Sequence, residues 1–204
     1  MVITAASEKV LKVLLSDPME EKNISTIAEE AEINYRQAHD AVEELSKEEV
    51  IEVNKKGRSR WCSPNTSGNW PLFAYIEGLR AEDLERRHRS IQVIKEQLKK
   101  VESAFFTAMV FGSYANGEEN EESDIDLLFI LPKGEEGQKL ENSIKARLEP
   151  LDYPLHPVFL REEEVLEALK SKGGEINVVK EAVRNHILLY GAENYYKILG
   201  DMIQ

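Results

Sequence analysis

Two aspartates and a glycine–serine pair are the residues of this chain that could do chemistry together. Gly112 and Ser113 follow a short apolar run, ten residues separate Ser113 from Asp124, and Asp126 lies inside a second apolar run. Side chains alternate between the faces of a strand, so Asp124 and Asp126 would share one face. Neighbouring carboxylates at the edge of an apolar strand repel each other, and burial raises that cost. A divalent cation relieves the repulsion, and Mg²⁺ fits best because it binds one or two carboxylates together with substrate phosphates.

The glycine–serine turn supplies the complementary half of such a site. If a helix begins near Tyr114, its first backbone N–H groups have no partner within the helix and face whatever lies beside Ser113. Such N–H groups bind phosphate. The alternative is that the aspartates only form a solvated strand end, but the flanking apolar runs place them within a sheet.

The stretch GSYANGEENEESDIDL resembles the GS-x10-DxD signature of the nucleotidyltransferase superfamily, the DNA polymerase β-like fold, and above all its minimal nucleotidyltransferase branch. The matching positions are Gly112, Ser113, Gly117, Ser123, Asp124, Asp126 and Leu127. The phrase HILLYG at 186–191 is similar to an ending common in that branch. The resemblance implies metal binding and catalysis by Asp124 and Asp126, and nucleotide binding by Gly112, Ser113 and Ser123. It implies Mg²⁺-dependent transfer of a nucleoside monophosphate from a nucleoside triphosphate to an acceptor.

The family's third acidic residue is the point at which this sequence departs from the pattern. By alignment the expected acid falls on His156, in the strand predicted over residues 155–160. A histidine can act as a base near neutral pH, so His156 is a candidate catalytic residue, but it lacks the charge of a carboxylate. It could equally be an ordinary strand residue. Asp152 could serve if the register is shifted.

Residues 1–66 are predicted to form a separate unit similar to a winged helix-turn-helix domain. Helices are expected at 10–15, at 27–31 after a cap by Ser25 or Thr26, and after Asn34, with Gln37 completing a capping box. Strands at 50–53 and 59–62 would form a hairpin around a basic turn.

Such domains place their third helix in the DNA major groove and their hairpin on phosphates. The predicted DNA contacts are Tyr35, Arg36 and Gln37 on the helix, with Lys55, Lys56, Arg58 and Arg60 on the hairpin. His39 is a further exposed candidate on the helix. Asp40, Glu43 and Glu44 would repel DNA if they faced it, so a protein-interaction domain is the alternative.

Residues 67–103 are predicted to be a linker and a connecting helix from Pro71 to about Glu102. Its irregular apolar stripe could join two domains or pair two chains into a homodimer. A basic cluster at residues 86–89 is either a solvated face or a contact with phosphates or an acidic partner.

Residues 104–204 are predicted to form an α/β domain with a small mixed sheet, so the fold class is α+β with two domains. Helices are expected at 138–148 and 162–171, a chain break at Gly173 and Gly174, and a helical region from Glu175 to Leu199. Glu118, Glu119, Glu121 and Glu122 are either a solvated loop or part of a negative field that attracts a cation.

Composition limits the partners and the cellular location that can be expected for this protein. A net charge of -12 argues against broad, nonspecific nucleic-acid binding, although it permits a local basic patch. No apolar run approaches the roughly 18 residues of a membrane span, so no membrane partner is expected. The single cysteine, Cys62, forms no internal disulfide, and the N-terminus does not resemble a signal peptide, so we expect a cytoplasmic protein.

Three hypotheses follow for the whole chain. The first is a nucleotidyltransferase fused to a DNA-binding module, with a protein side chain, a small molecule or an RNA end as acceptor. The second is a DNA-binding regulator whose degenerate nucleotidyltransferase domain binds nucleotide or a partner without turnover. The third is a protein-interaction module whose basic hairpin binds an acidic partner.

Overall fold

The computed structural model describes residues 3–102, 105–170 and 178–203. Over these residues the chain forms a three-stranded and a four-stranded sheet, each packed against helices. None of the described helices has the length and apolarity needed to cross a membrane. The predicted break at Gly173 and Gly174 and the predicted helix start at Glu175 lie outside the described residues.

The N-terminal unit is built from three helices and a small antiparallel sheet. Its elements are α1 (Ala5–Ser16), β1 (Lys22–Asn23), α2 (Ile24–Glu30), α3 (Tyr35–Lys47), β2 (Ile51–Lys56) and β3 (Ser59–Pro64). β3 lies between β1 and β2 and pairs with both. The apolar face predicted for α3 is confirmed, because its buried residues are Ala38, Ala41, Val42 and Leu45.

The N-terminal caps of α3 and α2 show how nearby side chains determine where a helix begins. The capping box of α3 is confirmed: Asn34 accepts from the Gln37 backbone, and Gln37 accepts from the Asn34 backbone. The start of α2 was predicted wrongly. Asn23 caps it by accepting from the Thr26 N–H at 3.1 Å, so Ser25 and Thr26 lie inside the helix. Ile24 is buried, and this packing begins the helix directly after β1.

The segment predicted to form one long connecting helix instead forms two helices, so this prediction was wrong. α4 (Trp70–Arg87) and α5 (Arg89–Leu98) meet at His88, whose backbone is extended with φ -132° and ψ 107°. α5 buries Ile91, Ile94 and Leu98 in the same core as the central strands of the second sheet. The segment from 89 onward therefore packs as a layer on that sheet.

The second unit is a mixed sheet with helices on both faces. Its elements are β4 (Thr107–Phe111), α6 (Ser113–Asn116), β5 (Ile125–Leu131), α7 (Gly134–Leu148), β6 (Leu155–Arg161), α8 (Glu162–Lys170), α9 (Val178–Arg184), β7 (His186–Tyr190) and α10 (Ala192–Ile203). The strand order is β6-β5-β4-β7. Among the strand pairs of the described residues in this sheet, β5–β6 alone is parallel, which confirms the predicted small mixed sheet.

Two element predictions in this unit were wrong. The predicted final helical region contains a strand, β7, which pairs with β4 from His186 to Tyr190. A short apolar run cannot be told from a buried helix segment by periodicity alone, and here pairing with β4 decides. α7 begins at Gly134 rather than near 138, directly after Lys133, whose backbone is extended.

A buried ionic network joins the two units at α4. Glu77 is 1 % exposed, and Arg80 Nη1 lies 2.7 Å and 2.9 Å from its two carboxylate oxygens. Arg80 also donates to the Leu15 carbonyl at the end of α1 and to the His186 carbonyl at the start of β7. Tyr196 of α10 donates its hydroxyl to Glu77 at 2.7 Å. Burial raises the pKa of Glu77, against the opposing effect of Arg80.

Candidate active site

Three neighbouring strands bring the predicted site residues together at one end of the sheet. Phe111, the last residue of β4, pairs with Asp126 of β5, and Asp126 pairs in parallel with His156 of β6. Asp124 immediately precedes β5. The sheet register therefore places the glycine–serine turn, both aspartates and His156 side by side.

Gly112 permits the close approach of Asp126 to the backbone. It has φ 67° and ψ -146°, a region that residues with a Cβ avoid. A Cβ added there would lie 2.6 Å from Oδ2 of Asp126, closer than real Cβ atoms approach. The carboxylate therefore lies directly against the turn that precedes Ser113.

The turn after Gly112 is a single helical turn, α6. The Gly112 carbonyl accepts from the N–H groups of Ala115 and Asn116, both at 3.1 Å. Gly117 ends the turn in the left-handed conformation with φ 73°. Because α6 begins at Ser113, the N–H groups of Ser113 and Tyr114 have no partner within the helix.

The electrostatics of the site favour a bound cation. Partial burial and the neighbouring Asp124 raise the pKa of Asp126, while His156 opposes the rise. Nδ1 of His156 lies 3.7 Å from Oδ1 of Asp126, an ion pair when the imidazole is protonated. A cation between the two carboxylates would remove the repulsion from Asp124, which adds to the effect of burial on this pKa.

The donor set consists of two carboxylates. In the described residues no group of three or more His, Cys, Asp and Glu side chains is arranged to hold a metal. Asp152 lies before β6 and takes no part in the strand pairing that brings His156 beside Asp126. Two carboxylates without nitrogen or sulfur ligands fit Mg²⁺, which is bound through few protein oxygens together with substrate phosphates.

Ser123 helps to form the turn that leads into Asp124. Its hydroxyl accepts from the Asn120 N–H at 2.9 Å, and its own N–H donates to the Asn120 carbonyl at 3.1 Å. Its predicted contact with nucleotide stays a prediction.

The predicted DNA contacts of α3 are exposed but partly engaged within the unit. Tyr35 is 55 % exposed, and its ring lies 6.2 Å from that of His39. Arg36 lies 3.9 Å from Asp40 on the surface. Oε1 of Gln37 accepts from both the backbone nitrogen and Nδ2 of Asn34. Of the two polar atoms of the Gln37 side chain, only Nε2 is therefore available to a partner.

The basic hairpin divides into two paired and two unpaired cations. Lys56 pairs with Glu21 and lies 5.4 Å from the centre of the Trp61 ring, and Arg60 pairs with Glu43 of α3. Within the described chain, Lys55 and Arg58 have no ion-pair partner. The two unpaired cations lie beside the tip, where Gly57 turns the chain.

The structure also places the α4–α5 break beside the signature loop. The His88 ring contacts the Tyr114 ring edge-on, with ring centres 5.0 Å apart. A guanidinium nitrogen of Arg87 would lie 3.8 Å from a Cβ on Gly117. Sequence analysis identified the basic cluster but not this position, because no proline or glycine marks the break at His88.

Part of the second unit is similar to a known family of proteins. Residues 91–185 match the family model described as "Nucleotidyltransferase domain". The match begins in α5 and contains the whole signature, and the N-terminal unit lies outside it. No curated protein matches the chain. The match confirms the nucleotidyltransferase part of the resemblance and supports a nucleotide as substrate.

Proposed function

Because residues 91–185 match a nucleotidyltransferase domain, we propose that this protein is a Mg²⁺-dependent nucleotidyltransferase with a DNA-contacting N-terminal domain. It moves a nucleoside monophosphate from a nucleoside triphosphate to an acceptor. The observation that carries the proposal is the close approach of the Asp126 carboxylate to Gly112, the first residue of the glycine–serine turn. A phosphate on the turn would lie beside the carboxylates that suit a cation.

The protein groups have distinct tasks in this chemistry. Asp124 and Asp126 would hold Mg²⁺, which when bound neutralises negative charge on the triphosphate. The N–H groups of Ser113 and Tyr114 and the Ser113 hydroxyl bind phosphate oxygens, which orients the triphosphate. The acceptor oxygen or nitrogen then attacks the α-phosphorus, and pyrophosphate leaves from the opposite side.

His156 is the candidate base for the acceptor. It lies beside Asp126, and its imidazole is 71 % exposed, so an arriving acceptor can reach it. A neutral imidazole can take the proton from an acceptor hydroxyl as the new phosphorus–oxygen bond forms. Asp126, 3.7 Å away, stabilises the imidazolium that results.

Turnover is tested by incubating the protein with each labelled nucleoside triphosphate and Mg²⁺. The expected result is pyrophosphate release or label transfer that disappears in the Asp124→Asn, Asp126→Asn double variant. His156→Ala should slow transfer and leave binding of the nucleotide in place. Release that continues in the double variant would contradict the proposal.

A regulator that binds nucleotide without turnover is the second candidate. The observation that favours it is His156 itself, which occupies the strand position where the family pattern has a carboxylate. This candidate is supported by saturable nucleotide binding without pyrophosphate release, together with DNA affinity that changes when nucleotide is added. Absence of DNA binding at low ionic strength would remove it.

The order of elements in the N-terminal unit supports its assignment as a winged helix-turn-helix domain. Three helices precede a hairpin whose second strand, β3, also pairs with β1, and Lys55 and Arg58 stand unpaired beside its tip. Unpaired cations there suit contacts with DNA phosphates. The alternative is that the hairpin binds an acidic protein. In that case replacing Lys55 and Arg58 with glutamate would abolish capture of the partner protein, and neither the unaltered protein nor the variant would bind DNA.

A further inference from the structure

The loop between Ser113 and Asp124 is held from outside the signature by the break between α4 and α5. Nε2 of His88 lies 2.8 Å from Oε1 of Glu119, and the His88 ring contacts Tyr114 of α6. We refer to His88, Tyr114 and Glu119 as the loop anchor. The loop anchor connects the start of the loop, at Tyr114, and its middle, at Glu119, to His88 between α4 and α5.

Glu119 differs in this respect from the other glutamates of the loop. Its side chain is 17 % exposed and that of His88 is 20 % exposed, whereas Glu118, Glu121 and Glu122 are exposed. Oε2 of Glu119 and Nε2 of His88 are both shielded from solvent without a hydrogen-bond partner among the described residues, so His88 and Glu119 interact as an ion pair when the imidazole is protonated. A shielded carboxylate needs a counter-charge, and the His88 imidazole supplies one when it is protonated.

Tyr114 connects this contact to the phosphate-binding turn. It follows Ser113 in α6, and it packs against the apolar core formed by α5 and the sheet. Arg87, next to His88, lies against Gly117 at the other end of α6. The end of α4 therefore contacts both ends of the turn whose N–H groups face the site.

We infer that His88 and Glu119 are positioning residues, which hold the Ser113–Asp124 loop in the conformation that binds the nucleotide phosphates. The inference rests on the proposed function. Without the anchor the loop would populate other conformations, and nucleotide affinity falls in proportion to the competent fraction. His88→Ala would also leave a shielded carboxylate without a counter-charge, which the loop would relieve by moving Glu119 into water.

The test compares binding of the four ribonucleoside triphosphates with Mg²⁺ across a variant set in the full-length protein. If the competent fraction falls to about one tenth, His88→Ala and Glu119→Ala each weaken binding about tenfold. The double variant should bind no more weakly than either single variant, because both remove the same contact. His88→Lys, which retains a positive charge within reach of Glu119, should recover most of the affinity.

Two matched controls separate positioning from general stability. Glu118→Ala removes an exposed neighbour of Glu119, and Lys95→Met removes the ion pair with Glu85 that also joins α4 to α5. Both should bind nucleotide like the unaltered protein. Unchanged affinity in His88→Ala, or additive losses in the double variant, would overturn the inference.

Amide hydrogen exchange in the nucleotide-free protein provides a readout independent of catalysis. His88→Ala should accelerate exchange about tenfold across residues 113–123, and Glu118→Ala should not. Unchanged exchange there would overturn the inference while leaving the proposed function intact. If the unaltered protein binds none of the four nucleotides, the proposed function fails, whereas accelerated exchange would still show that His88 holds the loop.

Discussion

Replacing Gly112 with alanine should impair the site much more than it impairs folding. A Cβ at this position would lie 2.6 Å from Oδ2 of Asp126, where real Cβ contacts keep at least 3.0 Å. The carboxylate must therefore move by at least 0.4 Å, the difference between these two distances. Because a misplacement of about 1 Å can cost roughly 100-fold in rate, we expect Gly112→Ala to reduce Mg²⁺-dependent turnover about sixfold or more.

The cost to stability is smaller and comes mainly from the backbone. A residue with a Cβ in this φ and ψ region costs about 1–3 kcal/mol. The Asp126 side chain can rotate away, so the clash adds little to that value. With a total stability of about 5–15 kcal/mol for an ordinary domain, Gly112→Ala should remain folded at room temperature.

The assay for Gly112→Ala combines urea unfolding with nucleotide binding and pyrophosphate release. Gly78→Ala is the matched control, because Gly78 lies inside α4 with open space around its Cβ position. Alanine there should stabilise the helix by about 0.5–1 kcal/mol and leave binding unchanged. A Gly112→Ala protein with reduced stability but full Mg²⁺-dependent binding would refute the assignment of Asp126 to the metal.

Three further outcomes are expected. Arg80→Met should cost about 3–5 kcal/mol in urea unfolding, because it leaves Glu77 as a buried unpaired carboxylate. Asp126→Asn should raise the melting temperature at pH 7 without Mg²⁺. Folding raises the pKa of Asp126, so its ionisation disfavours the folded state, and this gain should shrink as the pH falls towards 3.8. If the hairpin binds DNA, removing Lys55 and Arg58 together should lower the salt-dependence slope by about 0.9 per lost phosphate contact in a fluorescence titration.

Each of these outcomes has a control and a contrary result. Arg86→Met breaks an exposed pair with Asp83 and should cost about 0–1 kcal/mol, so equal losses for Arg80 and Arg86 would contradict the network. Added Mg²⁺ should stabilise the unaltered protein and not Asp126→Asn; equal stabilisation of both would argue against metal binding there. Removal of Lys56 and Arg60 should change the salt dependence of DNA binding less than removal of Lys55 and Arg58, since Lys56 and Arg60 are already paired with glutamates. A larger change would contradict the assignment of DNA contact to Lys55 and Arg58.

The parts of the fold that the sequence predicted correctly are those determined by local chemistry. Asn34 and Gln37 form the expected capping box because both partners lie within four residues. The alternation of the second apolar run placed Asp126 on a strand, and the alignment placed His156 beside it. The capping box and the strand follow from local spacing, and the resemblance to a known family supplied the alignment for His156, so the candidate site could be located before the fold was known.

The errors occur where long-range pairing or packing overrides local pattern. β7 has the apolar character of a buried helix, and its pairing with β4 makes it a strand. The break at His88 carries no proline or glycine, and it places α5 on the sheet while its histidine contacts the signature loop. Such features depend on partners distant in sequence, and local periodicity does not contain them.

Nucleotide binding with and without Mg²⁺, measured by calorimetry on a charge-matched pair of variants, tests the central claim most directly. Asp124→Asn with Asp126→Asn removes two charges from the site, and Glu121→Gln with Glu122→Gln removes two from the exposed loop before it. The account predicts Mg²⁺-dependent binding in the unaltered protein and in the glutamate variant, and none in the aspartate variant. Equal Mg²⁺-dependent binding by both variants would contradict it.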